Sequence, residues 1–195
     1  MQSSHPSEAE LARASLRAIA AFAARNVTRN YPILQHHYGD HSGVIFTLIC
    51  AVRATAEAKP FDSNEAGACQ RALKSLARTS RDVNALSAVD CIEFAASCAA
   101  SCLGRDKAEA VTWAVRSGEA AAACAHYSTF GLAPEIESGA ISAIRHDFDT
   151  AAAIAPEGAD EMGGPVDLSE EGPFGPLWVS GPHGWFVPSR RPARK

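Results

Sequence analysis

The chain lacks long apolar runs. None of its 195 residues falls in a stretch of ~18 consecutive apolar side chains, the length of a membrane span. The longest strongly apolar segment, residues 44–52, is about half that length and is broken by Thr47. No membrane partner is expected. A secretory signal is not expected either, because no basic segment followed by an apolar one opens the sequence. The sequence therefore reads as cytoplasmic. Charge of one sign is not in excess: 18 Lys and Arg face 22 Asp and Glu, net −4, with pI near 6.0. A dedicated nucleic-acid binder carries a marked basic surplus, so that class is excluded. Alternating apolar–polar β patterns do not occur in the first 155 residues. Phosphate-loop, dinucleotide, nucleophile-elbow and H-E-x-x-H signatures are also lacking.

Alanine is abundant. It supplies 39 residues and much of the 47% hydrophobic content. A chain of this length buries roughly 70% of its unfolded surface, so a core needs neither disulfides nor metal. Proline and glycine divide the sequence in two. Residues 1–155 hold four prolines and seven glycines, and residues 156–195 hold seven of each. No helix interior tolerates the second density. The reading is an all-α domain over 1–155 and an irregular tail over 156–195, packed on the surface.

The domain resolves into a bundle of about six helices. The first covers residues 7–28 on the stripe Leu16, Ile19, Ala20, Ala23, Val27. Arg13, Arg17, Arg25 and Arg29 lie off this stripe, and residues 11–30 contain no acid. A solvated face or a contact for an acidic partner both fit them. Tyr31-Pro32 ends the helix, since a residue before proline avoids helical backbone. A loop over residues 35–41 follows. The second helix, 42–58, is apolar all round at 44–52 and suits a central buried position, with a short strand as the alternative. Ser63 caps a third helix to about residue 78. The fourth spans 81–103 and stops at Gly104. Asp106 and Glu109 open the fifth as a capping box, and it runs to about 128. Pro134 starts the sixth, which ends near 154. Ala114, Gly118, Ala122 and Ala125 give the fifth helix a small-residue face. That face should press closely on the fourth or the second helix.

Several residues invite chemistry. His36, His37, Asp40 and His41 sit in the 35–41 loop and include metal-competent groups, but their spacing matches no metal motif. A polar turn in which Asp40 or Ser42 caps the next helix is the preferred reading. The six cysteines occupy helical, alanine-rich contexts. Cys91, Cys98 and Cys102 line one face, and three residues rather than two separate Cys98 from Cys102. Reduced thiols acting as small apolar groups fit that pattern. Asp90 shares a helical side with Val83, Leu86 and Phe94, where a carboxylate needs a partner. Arginines of the first helix, His126 or His146 are the candidates. His146 and Asp147 raise the same question.

The tail is the most distinctive region. Its six acids precede its four bases, and between them lie Phe174, Trp178, Trp185 and Phe186. Disordered segments are poor in such residues. Leaving those rings in water forgoes several kcal/mol. Residues 173–187 are therefore expected to dock, on their own helices or on a partner.

Two resemblances follow from these strings. The segment from Gly175 to Phe186 looks like the P-L-W-x-x-G-x-x-x-W ending of some bacterial proteins of unknown function, which brings no activity with it. The helical body, at residues 18–25 and 119–126, resembles Imm5-type immunity proteins of bacterial toxin systems. That resemblance implies a non-enzymatic protein that binds and neutralises a toxin. No catalytic residue, metal ligand or cofactor is assigned. The expected function is a protein-interaction module, with Phe174, Trp178, Trp185, Phe186, His36 and His37 as partner-binding residues. The alternative is a metal- or cofactor-dependent helical enzyme using the 36–41 loop, Asp90 and the cysteines. A third reading is a structural subunit whose tail docks on a second copy, as a homodimer.

Overall fold

The computed structural model describes residues 7–78, 82–129, 134–156 and 160–178. Among these, the chain forms α1 (Glu8–Leu11), α2 (Leu16–Tyr38), a single 3-10 turn (Gly39–His41), α3 (Ser42–Glu57), α4 (Ser63–Ala77), α5 (Val83–Leu103), α6 (Lys107–Thr129) and α7 (Pro134–Ala153). No strand occurs among the described residues. Six of these helices have 15 or more residues and pack together, so the all-α bundle of about six helices is observed.

The central helix is α2, not the apolar 42–58 segment. It touches α3, α5, α6 and α7, and 16 of its 23 residues are buried. Alanine at positions 18, 20, 21, 23 and 24 lets neighbours approach from several sides. In α3, by contrast, Phe46 is 57% exposed and Cys50 is exposed. The first predicted helix is split. Ser15 Oγ accepts the Ala18 N–H at 3.3 Å and starts α2 afresh. The first two N–H groups of α2, on Leu16 and Arg17, donate to Glu161 O and Met162 O at 2.9 and 3.1 Å. Donors that a helix start leaves open are thus satisfied by the tail.

Pro32 does not end α2. The helix runs through it to Tyr38, so His36 and His37 occupy its last turn rather than a loop. An interior proline costs about 3 kcal/mol. Burial of Ile33, Leu34 and Tyr38 beyond it outweighs that cost. Two other boundaries move by a residue. Asp62, not Ser63, caps α4, accepting from the Asn64 and Glu65 N–H groups at 2.8 and 3.1 Å. Gly104 keeps right-handed helical backbone, and Arg105 takes the left-handed conformation, φ 59°. The Asp106 cap accepts from Glu109 N at 3.0 Å as predicted, while the Glu109 carboxylate takes the Ser101 hydroxyl instead of closing the box.

By length and mean hydropathy (1.5 over its apolar window), α5 is the described helix that could cross a membrane. It packs instead against α2, α3, α4 and α6, and 56% of that window is buried. The small face of α6 is buried at Ala114, Gly118 and Ala125. A Cβ on Gly118 would lie 3.0 Å from Phe22 Cζ of α2, so this glycine approaches α2, while α6 also packs extensively on α5, the predicted fourth helix. All six cysteines are free, and Cys91, Cys98, Cys102 and Cys124 are buried.

Candidate functional site

The described tail docks on its own helices. Val166 donates to Ala56 O at 3.0 Å, and Val166 and Phe174 join the core. The strongest attachment is an arginine clamp. Arg25 and Arg29 stand one turn apart on α2 and so share a face. They are 4% and 3% exposed, and neither is solvated as the off-stripe reading allowed. Opposite them on α7 is Asp147, fully buried. Arg25 Nε donates to Asp147 Oδ2 at 2.7 Å, and Arg29 Nη1 lies 2.6 Å from the same oxygen.

Other guanidinium donors face the tail backbone, while Arg29 Nε is buried with no hydrogen-bond partner among the described residues. Arg25 Nη1 donates to Gly175 O at 2.9 Å, and Arg25 Nη2 donates to Pro176 O at 2.9 Å and Phe174 O at 3.4 Å. Arg29 Nη2 donates to Leu177 O at 3.1 Å. Four consecutive carbonyls therefore converge on two cations. Bonds of this charge-assisted kind are about twice as strong as neutral ones. Each guanidinium also lies over a ring, Arg25 over Phe174 and Arg29 over Trp178, both at 5.4 Å to the centroid. Left-handed backbone at Gly175, φ 63°, lets the chain turn within this segment. Upstream, Gly163 has φ 73°, and a Cβ there would sit 2.5 Å from Ser15 Cβ. The Arg17 guanidinium donates to the Gly163 carbonyl.

The clamp is electrically uneven. Two buried cations share one carboxylate, and the carbonyl dipoles supply the balance. Burial pulls Arg29 below its ordinary value while Asp147 opposes that shift. An arginine nevertheless keeps its proton in a protein. The arrangement can hold an extended, glycine- and proline-containing segment. It reads the main chain and two aromatic rings.

The predicted site residues are dispersed. Phe174 is 1% exposed and seated in the core of its own chain. Trp178 is half-buried beneath Arg29. Trp185 and Phe186 lie outside the described residues. His36 and His37 are exposed, their rings edge to face at 5.0 Å. Asp90 is a correction: it is exposed on α5 rather than buried. Partial burial, then the like charge of Glu93, push its carboxyl above the ordinary range. The carboxylate that does need partners is Asp147, and arginines of the first long helix provide them. Among the described residues, no three His, Cys, Asp or Glu side chains converge on a metal-sized site. The 36–41 residues, Asp90 and the cysteines are not brought together.

Three of the buried thiols, Cys91, Cys98 and Cys124, are held protonated. Burial pushes Cys91 up to about 11, against weak opposition from Ser117 and Asn30. The adjoining Cys102 thiol and burial raise Cys98 well above its usual value. Burial likewise raises Cys124, whose Sγ donates to Asn84 Oδ1 at 3.0 Å.

No family model, no curated protein and no solved structure matches this chain.

Proposed function

We propose that the chain is a non-enzymatic, immunity-like module that binds a protein partner. A bacterial toxin is the class of partner that the sequence resemblance implies. The contact surface is the corner where α2 turns into α3. The observation that supports this reading best is Phe46, 57% exposed one turn into α3. His36, His37, Asp40 and His41, all exposed, precede it. Covering an exposed aromatic recovers hydrophobic free energy, and aromatic residues are enriched in the cores of protein interfaces. The histidines add flat rings that both donate and accept. The clamp is the scaffold: it fixes the tail as far as Trp178.

The test is affinity capture with the full chain, identification of the captured protein, and titration of that protein in purified form. Against the triple variant His36→Ala, His37→Ala, Phe46→Ala, affinity should fall at least about tenfold. Melting should be unchanged, because the three side chains are exposed. Equal affinity for the variant and the parent chain would contradict the assignment.

A further inference from the structure

Beside the clamp, between the tail and the bundle, lies a cavity with about 70 Å³ open to the centre of a water-sized sphere. Its walls are Arg25 and Thr28 of α2, Arg53 of α3, and Leu168, Glu170 and Leu177 of the tail. One water needs roughly 10–15 Å³ on this measure, so the space suits a group of about five heavy atoms. Two arginines line it against one glutamate, and the carboxylate that serves Arg25 is already shared with Arg29.

The two arginines that line the space keep donors to spare. A guanidinium has five N–H bonds. Arg25 uses four of them, on Asp147 Oδ2, Gly175 O, Phe174 O and Pro176 O, which leaves one on Nη1. Arg53 makes one long contact, 3.4 Å to Glu57, whose other oxygen is held more closely by Lys59 at 2.9 Å. Thr28 offers no donor, because its hydroxyl already donates to Ala24 O at 2.7 Å. The leucine walls lower the local dielectric and strengthen any charge pairing inside.

We propose that this cavity is a binding site for a small oxyanion of phosphate size, held between Arg25 and Arg53, with the tail as its outer wall. Leu168, Glu170 and Leu177 belong to the tail, so anion binding and tail docking reinforce one another. Glu170 is the built-in competitor. Its carboxylate opposes a second anion and weakens the site.

Inorganic phosphate is the probe, titrated into the full chain against sodium chloride at matched ionic strength, read by melting temperature and calorimetry. Phosphate should raise the melting temperature above the chloride control. Glu170→Gln should tighten phosphate binding severalfold. Arg53→Ala should weaken it by about tenfold or more, since it removes a charge-assisted contact. In chloride, the Arg53→Ala protein should melt close to the parent, because Arg53 is partly exposed and makes only the long Glu57 contact. If phosphate shifts neither the parent nor Glu170→Gln beyond chloride, the proposal is overturned. A shift that survives Arg53→Ala unchanged overturns it equally, since the anion then binds elsewhere.

Discussion

Replacing Asp147 by asparagine isolates the charge of the clamp. The side chain keeps its size, and the two guanidiniums that lie 2.7 and 2.6 Å from Oδ2 lose the buried carboxylate that they share. Removing one partner of a buried ion pair costs about 3–5 kcal/mol, because the charge left behind cannot rehydrate. For a chain of this size, that is a fall in melting temperature of about 6–20 °C. Arg29→Met is the informative companion. It removes the 2.6 Å Asp147 contact, the Leu177 bond and the Trp178 ring contact, but it leaves Arg25 and Asp147 as a balanced pair. A loss of about 1–2 kcal/mol is expected. The assay is denaturant and thermal unfolding of the full chain, followed by far-ultraviolet circular dichroism. An asparagine variant within about 1 kcal/mol of the parent would refute the charge accounting. A methionine variant less stable than the asparagine variant would refute it as well.

Gly163→Ala should destabilise the chain by more than about 1 kcal/mol, since it meets both a left-handed backbone and the Ser15 Cβ at 2.5 Å. A proteolysis time course should show earlier cleavage after Glu161 in the variant, and an unchanged course argues against tail docking at Ser15. Gly118→Leu should overpack Phe22, whose ring also packs edge to face on Phe148, and cost about 1–3 kcal/mol in a thermal melt. Titration of native protein with a thiol reagent at neutral pH should show Cys50 reacting first and Cys91, Cys98, Cys102 and Cys124 silent until unfolding. Early labelling of those four would remove the packing assignment. Asp90 has a folded value above its unfolded one, so its ionised form opposes folding, and stability is regained as pH falls through the raised value. Asp90→Asn should therefore stabilise slightly at pH 7, by under about 0.5 kcal/mol, and the difference should vanish below pH 3.8. A variant that is less stable than the parent at pH 7 would reverse the sign of that argument.

Helix count and most boundaries were legible because local rules decide them. Asp106 caps α6 through Glu109 N, and Pro134 is the first residue of α7, both readable from the residue types alone. Errors arose where distant chain supplies the deciding interaction. Ser15 starts α2 because Glu161 and Met162, some 145 residues away, take its open N–H groups. Pro32 sits inside a helix because the residues beyond it are buried. Neither fact has a local signature, since each depends on a surface assembled only by folding.

The clamp was missed for a related reason. An arginine off an apolar stripe is assigned to solvent only if solvent lies on that side, and around Arg25 and Arg29 α2 is covered by other chain. A signal did exist on α7. Ala140, Ile144, Asp147 and Ala151 follow one another at spacings of four, three and four, and all are buried. A carboxylate on such a stripe demands a cation, and residues 11–30 carry four arginines and no acid of their own. Asp90 drew the same argument on weaker grounds. Its stripe mates Leu86 and Phe94 are only half-buried, and Val83 is 48% exposed. Because α5 is apolar around most of its circumference, a line of apolar residues there does not identify the inward face. On α7, with Glu135, Glu137, Arg145 and Asp149 spread over the other sides, it does. The sharper the amphipathic contrast of a helix, the more a polar residue on its buried stripe says about what must face it.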